Sequence, residues 1–392
     1  MKCTLHSAAL QTAAGLANKT AGTRPRAPIF GAALLVAEGG DRLTVTASTD
    51  GAWTRTSYQA EVQTGSTVAV SARLLAAAAA GMPAGRLDIV TDGASLTISG
   101  SGRNRAVLPL MPAEDYPSWP VTAEGRHLSV PGPALAAALD VAARIASADS
   151  TIGHAEIRRV QLVGSAAGLR VLASDRYRLI CLDLPWSTTV PLAGPVEVAI
   201  DPTVVGPLVA LAKASDVVTL SVPDAGGANM LEVGIGPARS LTAVVGGQSV
   251  DYGRFLAGAK RDRSVLVDSD DLLNLIAHVA PFVLTTETTS GKLKGPALIG
   301  IDGDQLTLRA GSEADGLSQG SVEVEGWDGE VWETGLNPAY LADVVKAIAA
   351  PRVRLWVASP KDPLYLTRPD GPAPAQAVLM PIRIPSTGRT QP

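Results

Sequence analysis

The chain has very little cysteine: two residues in 392, Cys3 and Cys181, far apart in sequence. That excludes a disulfide framework and a cysteine metal cage, and makes a reducing cytoplasm the expected compartment. Histidine is sparse too, and the four residues His6, His127, His154 and His278 offer no pair at metal-ligand spacing. No run of 18 apolar residues occurs, and the opening MKCTLHSAALQTAAGLANK lacks a continuous apolar stretch followed by a cleavage site. Neither a membrane span nor a signal peptide is therefore expected. Nucleotide-binding loops are missing too: there is no G-x-G-x-x-G, and SGK at 290–292 lacks the preceding glycine of a phosphate cradle. A formal net charge of −4 argues against a uniformly basic nucleic-acid binder, so any attraction for phosphate must come from how charge is distributed.

Catalytic patterns fare no better. GLSQG at 316–320 has the G-x-S-x-G form with Ser318 as would-be nucleophile, but that pattern needs a strand-to-helix elbow and a later histidine. The last histidine is His278, and the surroundings read as a loop entering a strand. A hydrolase using Ser318 stays only as a formal competitor. Acidic pairs such as Glu114 with Asp115, or Asp302 with Asp304, fall at turns. No enzyme, no cofactor and no metal is expected.

What the chain does have is internal repetition. Leu10, Leu135 and Leu272 each open an apolar, helix-like run, at spacings of 125 and 137 residues. LTVTASTD from Leu43, LRVLASDR from Leu169 and LTLRAGSE from Leu306 repeat at 126 and 137. A second helix-like run begins near Ser71, Asp201 and Asn337, at 130 and 136. Such periods are too long for solenoid units, so each copy is a domain with its own core. Period-2 alternation around turns such as TDGA (91–94) and DGDQ (302–305) predicts antiparallel hairpins. The expected fold is α+β, two helices packed on antiparallel sheets in each of three copies. The predicted boundaries are 1–125, 126–258 and 259–392, set by the breaks PSWPVTAEGR (117–126) and LAGAKRDRS (256–264), with 385–392 expected to be disordered.

Charge on the six helices is uneven. The Ala-rich runs near 5–19 and 71–80 carry no acid, while Lys19 and Arg73 are positive. Asp201, Asp268, Asp270 and Asp271 sit at helix starts, and Arg144, Lys213, His278 and Lys346 fall later in their helices. Those placements suit the helix dipole, and the cations are also readable as ordinary snorkelling side chains. If equivalent helices shared one face, that face would be weakly positive on an acidic protein.

Three further segments, LPLMPAEDYPSWP (108–120), LASDRYRLICLDLP (172–185) and VLMPIRI (378–384), resemble motifs of the bacterial DNA polymerase III beta sliding clamp family, as does TRPRAPIFGAALL (23–35). The resemblance spans the whole chain. It implies a ring-shaped, head-to-tail homodimer that encircles double-stranded DNA and tethers DNA polymerase, the clamp loader and repair proteins through short apolar peptides. By that resemblance Arg24 and Arg26 are DNA contacts, with Arg73, Arg144, Lys213 and Lys346 added from helix position. The implied peptide cleft comprises Ile157, Ser174, Arg176, Tyr177, Arg178, Leu179, Val250, Phe255, Val378, Met380, Pro381, Ile382 and Arg383. Arg178 and Arg383 are expected to hydrogen-bond the peptide, Leu179 and Val378 are readable as core, and Pro381 should mark a sheet edge. The implied dimer interface comprises Ala106, Leu108, Phe282 and Val283. The sequence departs from the family pattern at Val250, where proline is common, at the bulkier Phe255, at the smaller Ala106, and in the eight-residue tail beyond Ile384. A paralogue with an altered cleft and different partner choice is the runner-up reading.

Overall fold

The three marker leucines, Leu10, Leu135 and Leu272, are fully buried, and so are Leu43, Leu169 and Leu306 of the second marker. The computed structural model describes residues 1–21, 25, 27–38, 41–49, 51–120, 125–146, 157–188, 195–223, 230–235, 238–243, 250–258, 260–283, 285–288, 291–294 and 296–382. Among these residues lie seven α-helices: α1 (Ser7–Ala21), α2 (Ala72–Ala80), α3 (Gly132–Ala146), α4 (Val205–Ala212), α5 (Tyr252–Ala257), α6 (Ser269–Val279) and α7 (Pro338–Ile348). The marker leucines lie in α1, α3 and α6. The second markers run into strands Arg42–Thr49, Gly168–Ser174 and Gln305–Ser312. The repetition read from the sequence is therefore a repetition of helix and strand.

Local chemistry sets where the helices begin. The Ser71 side chain accepts the N–H of Leu74 ahead of α2, and Asp268 accepts those of Asp270 (2.9 Å) and Asp271 (3.2 Å) ahead of α6. Asn337 does the same for Ala339 and Tyr340 at the start of α7, and Asp201 for Thr203. Each cap satisfies an N–H that the helix itself cannot, worth about 1 kcal/mol. Once started, α1 buries Leu10, Ala13, Ala14, Ala17 and Ala21, a stripe at helical spacing. Small side chains on that stripe let helices approach closely, and α1 packs on α2 and on α4. α6 packs on α7, with larger aliphatic side chains buried on both helices.

The chain divides into two compact units: Met1–Asp140 with Ser165–Gly168 and Pro185–Gly246, and Val141–Gly164 with Leu169–Leu184 and Gly247–Pro392. In the first unit one continuous 14-stranded sheet joins strands of the opening repeat to strands of the middle one, through antiparallel pairing of Ala52–Gln59 with Ala238–Ala243. In the second, Arg178–Leu184 pairs with Gly371–Leu379, so that strands from the middle repeat continue into those of the last. The predicted hairpins at 91–94 and 302–305 are present, with Gly93 and Gly303 at positive φ.

The core of the first unit gathers Leu10, Leu35, Leu75, Ile89, Ile98 and Leu108. Burial pushes the Cys3 thiol in it up to about 11. The motif 108–120 is pinned to the sheet. Tyr116 is buried and its hydroxyl donates to the carbonyl of Thr46 (3.1 Å), while the Arg55 guanidinium lies 4.2 Å from the centre of the Trp119 ring. No helix among the described residues is long and apolar enough to cross a membrane.

Candidate functional site

Around the predicted cleft, the second unit brings together segments that are remote in sequence. The loop after strand Gly168–Ser174 is locked by its own side chains. Asp175 Oδ1 accepts the N–H groups of Tyr177 (3.0 Å) and Arg178 (2.9 Å), and the Ser174 hydroxyl donates to the Arg178 carbonyl (2.9 Å). Arg176 takes φ +77°, a left-handed conformation that costs a non-glycine residue of order 1 kcal/mol and persists only where surrounding bonds over-determine it. That turn leaves Arg176 and Tyr177 exposed. Strand Arg178–Leu184 follows, with Leu179 directly opposite Val378.

Beyond Leu379 the sheet stops, as Pro381 predicts. Met380 donates its N–H to the Tyr177 carbonyl (2.8 Å), and Ile382 donates to the Gly335 carbonyl (2.8 Å) through an isolated bridge. Met380, Pro381 and Ile382 are half-buried along this border. On the other side α5 is capped by Asp251, which accepts the Arg254 N–H (2.8 Å). It turns Tyr252 and Leu256 inward against Leu172, Leu179, Cys181, Tyr365 and Val378, with Val250 partly buried beside them. Phe255 is left exposed. Gln161 is buried, and its amide is oriented to donate to the Val250 carbonyl and accept its N–H, fixing the segment that leads into α5. Ile157 supplies a carbonyl to the Tyr252 hydroxyl (3.4 Å). A cavity of about 470 Å³ opens next to Phe255, walled by Arg254, Lys260, Asp362, Pro363 and Tyr365.

Leu179 and Val378 are fully packed, in keeping with the core reading of both. One placement departs from expectation. Arg178 is directed inward: its Nε donates to Asp175 (2.9 Å), its Nη1 is paired with Asp343, and its guanidinium lies 4.4 Å from the centre of the Tyr340 ring. Tyr340 and Asp343, both on α7, are site neighbours that sequence reasoning missed, because the contact spans 165 residues and leaves no local signal. Arg383 lies outside the described residues, as does the tail at 385–392.

Burial pushes the thiol of Cys181 up to about 12 and the phenol of Tyr252 likewise to about 12, so both stay neutral near pH 7. Ser318 lies within strand Gly316–Glu325, buried, with its hydroxyl donating to the carbonyl of His278. It occupies no strand-to-helix elbow.

Of the predicted DNA contacts, Arg73, Arg144, Lys213 and Lys346 are all exposed, on or just past α2, α3, α4 and α7. Helices α1, α2 and α4 contain no acidic residue. Arg24 and Arg26 lie outside the described residues.

The predicted interface residues fall at two sheet edges. Strand Arg105–Met111 pairs along 105–109 with Ser95–Ser99, and among the described residues nothing pairs with the opposite side of that stretch. Ala106 and Leu108 point into the first unit's core, whereas Val107, which sequence reasoning passed over, is 52% exposed. In the second unit, Gly316–Glu325 pairs with Gln305–Ser312, and among the described residues its other side is taken only at Val324 and Glu325. Phe282 is exposed there, close against Gly316 and with exposed Leu317 next in the strand, while Val283 is buried. The turn beneath it requires glycine at 311, where φ is +91° and a Cβ would sit 2.0 Å from the Gly316 carbonyl oxygen.

Comparison with known proteins agrees with this architecture. Residues 1–120 match the family model of the DNA polymerase III beta subunit N-terminal domain, and residues 260–383 match that of its C-terminal domain, together more than half of the chain. Beta sliding clamps of Streptomyces coelicolor and Caulobacter vibrioides are each 27% identical to the chain, over 98% of it and the whole of each relative. The solved DNA polymerase III subunit beta of Pseudomonas aeruginosa has the same fold, with a TM-score of 0.85 at 21% identity, covering 98% of this chain and 100% of that one. A beta sliding clamp structure from Caulobacter crescentus gives 0.83 at 24% identity over 98% and 99%. The chain belongs to the bacterial DNA polymerase III beta subunit family, the beta sliding clamps.

Proposed function

We propose that the chain is one subunit of a DNA sliding clamp, a non-catalytic processivity factor working in the cytoplasm. It is read as three clamp domains, 1–125, 126–258 and 259–392. Two copies join head to tail in a ring around duplex DNA. The observation that carries this reading is the pair of dissimilar open edges, 105–109 in one unit and 316–323 in the other. Different patches on one chain make a heterologous contact, which closes into a ring when the rotation between copies allows. Val107 on one edge and Phe282 with Leu317 on the other supply apolar cover for the joined strands.

DNA is held by topology, and side chains need only attract phosphate without reading bases. Scattered cations on acid-poor helices do this, with Arg24, Arg26, Arg73, Arg144, Lys213 and Lys346 as the contacts. Clustered charge would hinder sliding. Polymerase, clamp loader and repair proteins dock by short apolar peptides along Tyr177, Val250, Phe255, Met380, Pro381 and Ile382. An aliphatic or aromatic anchor covers the packed floor of Leu179 and Val378.

Retention on DNA tests the reading. Loaded onto nicked circular plasmid by a clamp loader, the protein should co-migrate with the circle in 0.5 M salt and be lost when the plasmid is cut once. Equal loss from circles and linear DNA would exclude topological holding.

A further inference from the structure

Among the described residues named for the predicted cleft, Arg178 carries a charge that the solvent hardly reaches. Arg178 is 6% exposed, and it is shared between two carboxylates of different standing. Asp175 is 1% exposed and belongs to the same loop; it binds Arg178 through Nε and holds the N–H groups of Tyr177 and Arg178 with its other oxygen. Asp343 is 52% exposed and comes from α7, in the last repeat. The first pair builds the turn. The second ties that turn to a helix 165 residues away.

Tyr340 lies three residues before Asp343 and so on the same face of α7. The Arg178 guanidinium sits 4.4 Å from the centre of its ring, and that ring stacks on Tyr177 with centroids 6.0 Å apart and planes at 29°. The sequence of contacts is therefore Asp175, Arg178, Tyr340, Tyr177, with Asp343 closing it from the helix side. Tyr177 also gives its carbonyl to the N–H of Met380. Both borders of the cleft thus depend on where α7 holds the loop.

We propose that Arg178 is a positioning residue and not a peptide contact, and that the Asp343–Arg178–Asp175 staple sets the pose of the Tyr177–Tyr340 wall and with it the peptide affinity of the cleft. This rests on the peptide-cleft reading above. Its physical basis is the geometry of guanidinium: a planar fork engages two carboxylates along its edge while laying its face on a ring, a fixed arrangement that the rotatable point charge of an ammonium does not reproduce. Because Asp343 is half exposed, losing it leaves Arg178 still paired with Asp175. The fold should survive while the wall loosens.

The test uses the full chain and a fluorescein-labelled synthetic peptide carrying two leucines and a phenylalanine, followed by anisotropy. Asp343→Ala and Asp343→Asn should each weaken binding about fivefold to tenfold, the range expected when an element that positions a site is released. Asp343→Glu should restore binding to within about twofold, since it returns the charge to the same helix face. Arg178→Lys should behave like Asp343→Asn. Placed at 177 as a reporter, tryptophan (Tyr177→Trp) should shift its emission to the red when Asp343→Ala is added, as the ring leaves Tyr340. If the unaltered chain binds the peptide and both Asp343→Ala and Asp343→Asn bind it equally well, the staple is refuted and the cleft stands. Weakening by Arg178→Lys alone would make Arg178 a direct contact, also against the proposal. Failure of the unaltered chain to bind would overturn the cleft reading itself.

Discussion

Met380 donates its backbone N–H to the carbonyl of Tyr177 at 2.8 Å, fastening the end of the last strand to a loop that precedes it by 203 residues. An apolar peptide docked as proposed would cover Tyr177 and Met380 together at this junction. Truncating a central anchor of such a surface typically costs 1–2 kcal/mol or more. Tyr177→Ala and Met380→Ala should each weaken peptide binding about tenfold by anisotropy titration, with no change in thermal midpoint beyond a few degrees.

The exposed edge at 105–109 gives a second expectation. Val107→Asp places a carboxylate where the joined strands would exclude water, and an uncompensated buried charge costs several kcal/mol. Self-association should weaken about a hundredfold or more, read as a shift toward monomer in sedimentation equilibrium. Val107→Thr should keep most of the affinity.

The electrostatic account is tested by salt. The triple variant Arg73→Ala, Lys213→Ala, Lys346→Ala should lower affinity for a duplex oligonucleotide and flatten the plot of log affinity against log salt by about 0.9 for each phosphate contact removed. Base sequence should make no difference. An unchanged slope would mean these side chains do not face DNA.

Burial of the two thiols has a pH consequence. Cys3 and Cys181 are held at about 11 and about 12 in the folded chain, above their ordinary value of 9.0. Below pH 9 both are protonated in folded and unfolded chains, and their stabilising effect is fully present. Above it the unfolded chain gives up protons that the folded chain keeps, so stability falls as pH rises from about 9 toward 12. At pH 8 the native protein should react with a thiol reagent only as fast as it opens, and the denatured chain should react at once.

The three marker leucines are all fully buried on core helices, so Leu10→Ala, Leu135→Ala and Leu272→Ala should each destabilise by about 2–5 kcal/mol in denaturant unfolding. A surface-like effect at any one of them would contradict its place in the core.

What sequence could and could not reveal divides by range. Leu10, Leu135 and Leu272 were legible because core helices repeat their apolar face, and Asp201, Asp268 and the Asn337 position because a cap acts on N–H groups two or three residues away. Pro381 announced the end of the sheet because proline cannot donate to it. The inward course of Arg178 was not legible: its acidic partner at 175 is local, but Asp343 and Tyr340 arrive only when the chain folds. At the open sheet edge of 105–109 the sequence pointed to Ala106 and Leu108 and passed over the residue that faces outward. Alternation along 105–109 puts Ala106 and Leu108 with the core and leaves Val107 to the solvent, and which parity faces inward depends on the sheet beneath.

The most direct test of the ring is the mass in solution, measured by size-exclusion chromatography with light scattering across a dilution series. A head-to-tail dimer predicts twice the 40.1 kDa chain mass, persisting to submicromolar concentration. A mass of one chain at every concentration would contradict the ring, and with it topological holding of DNA.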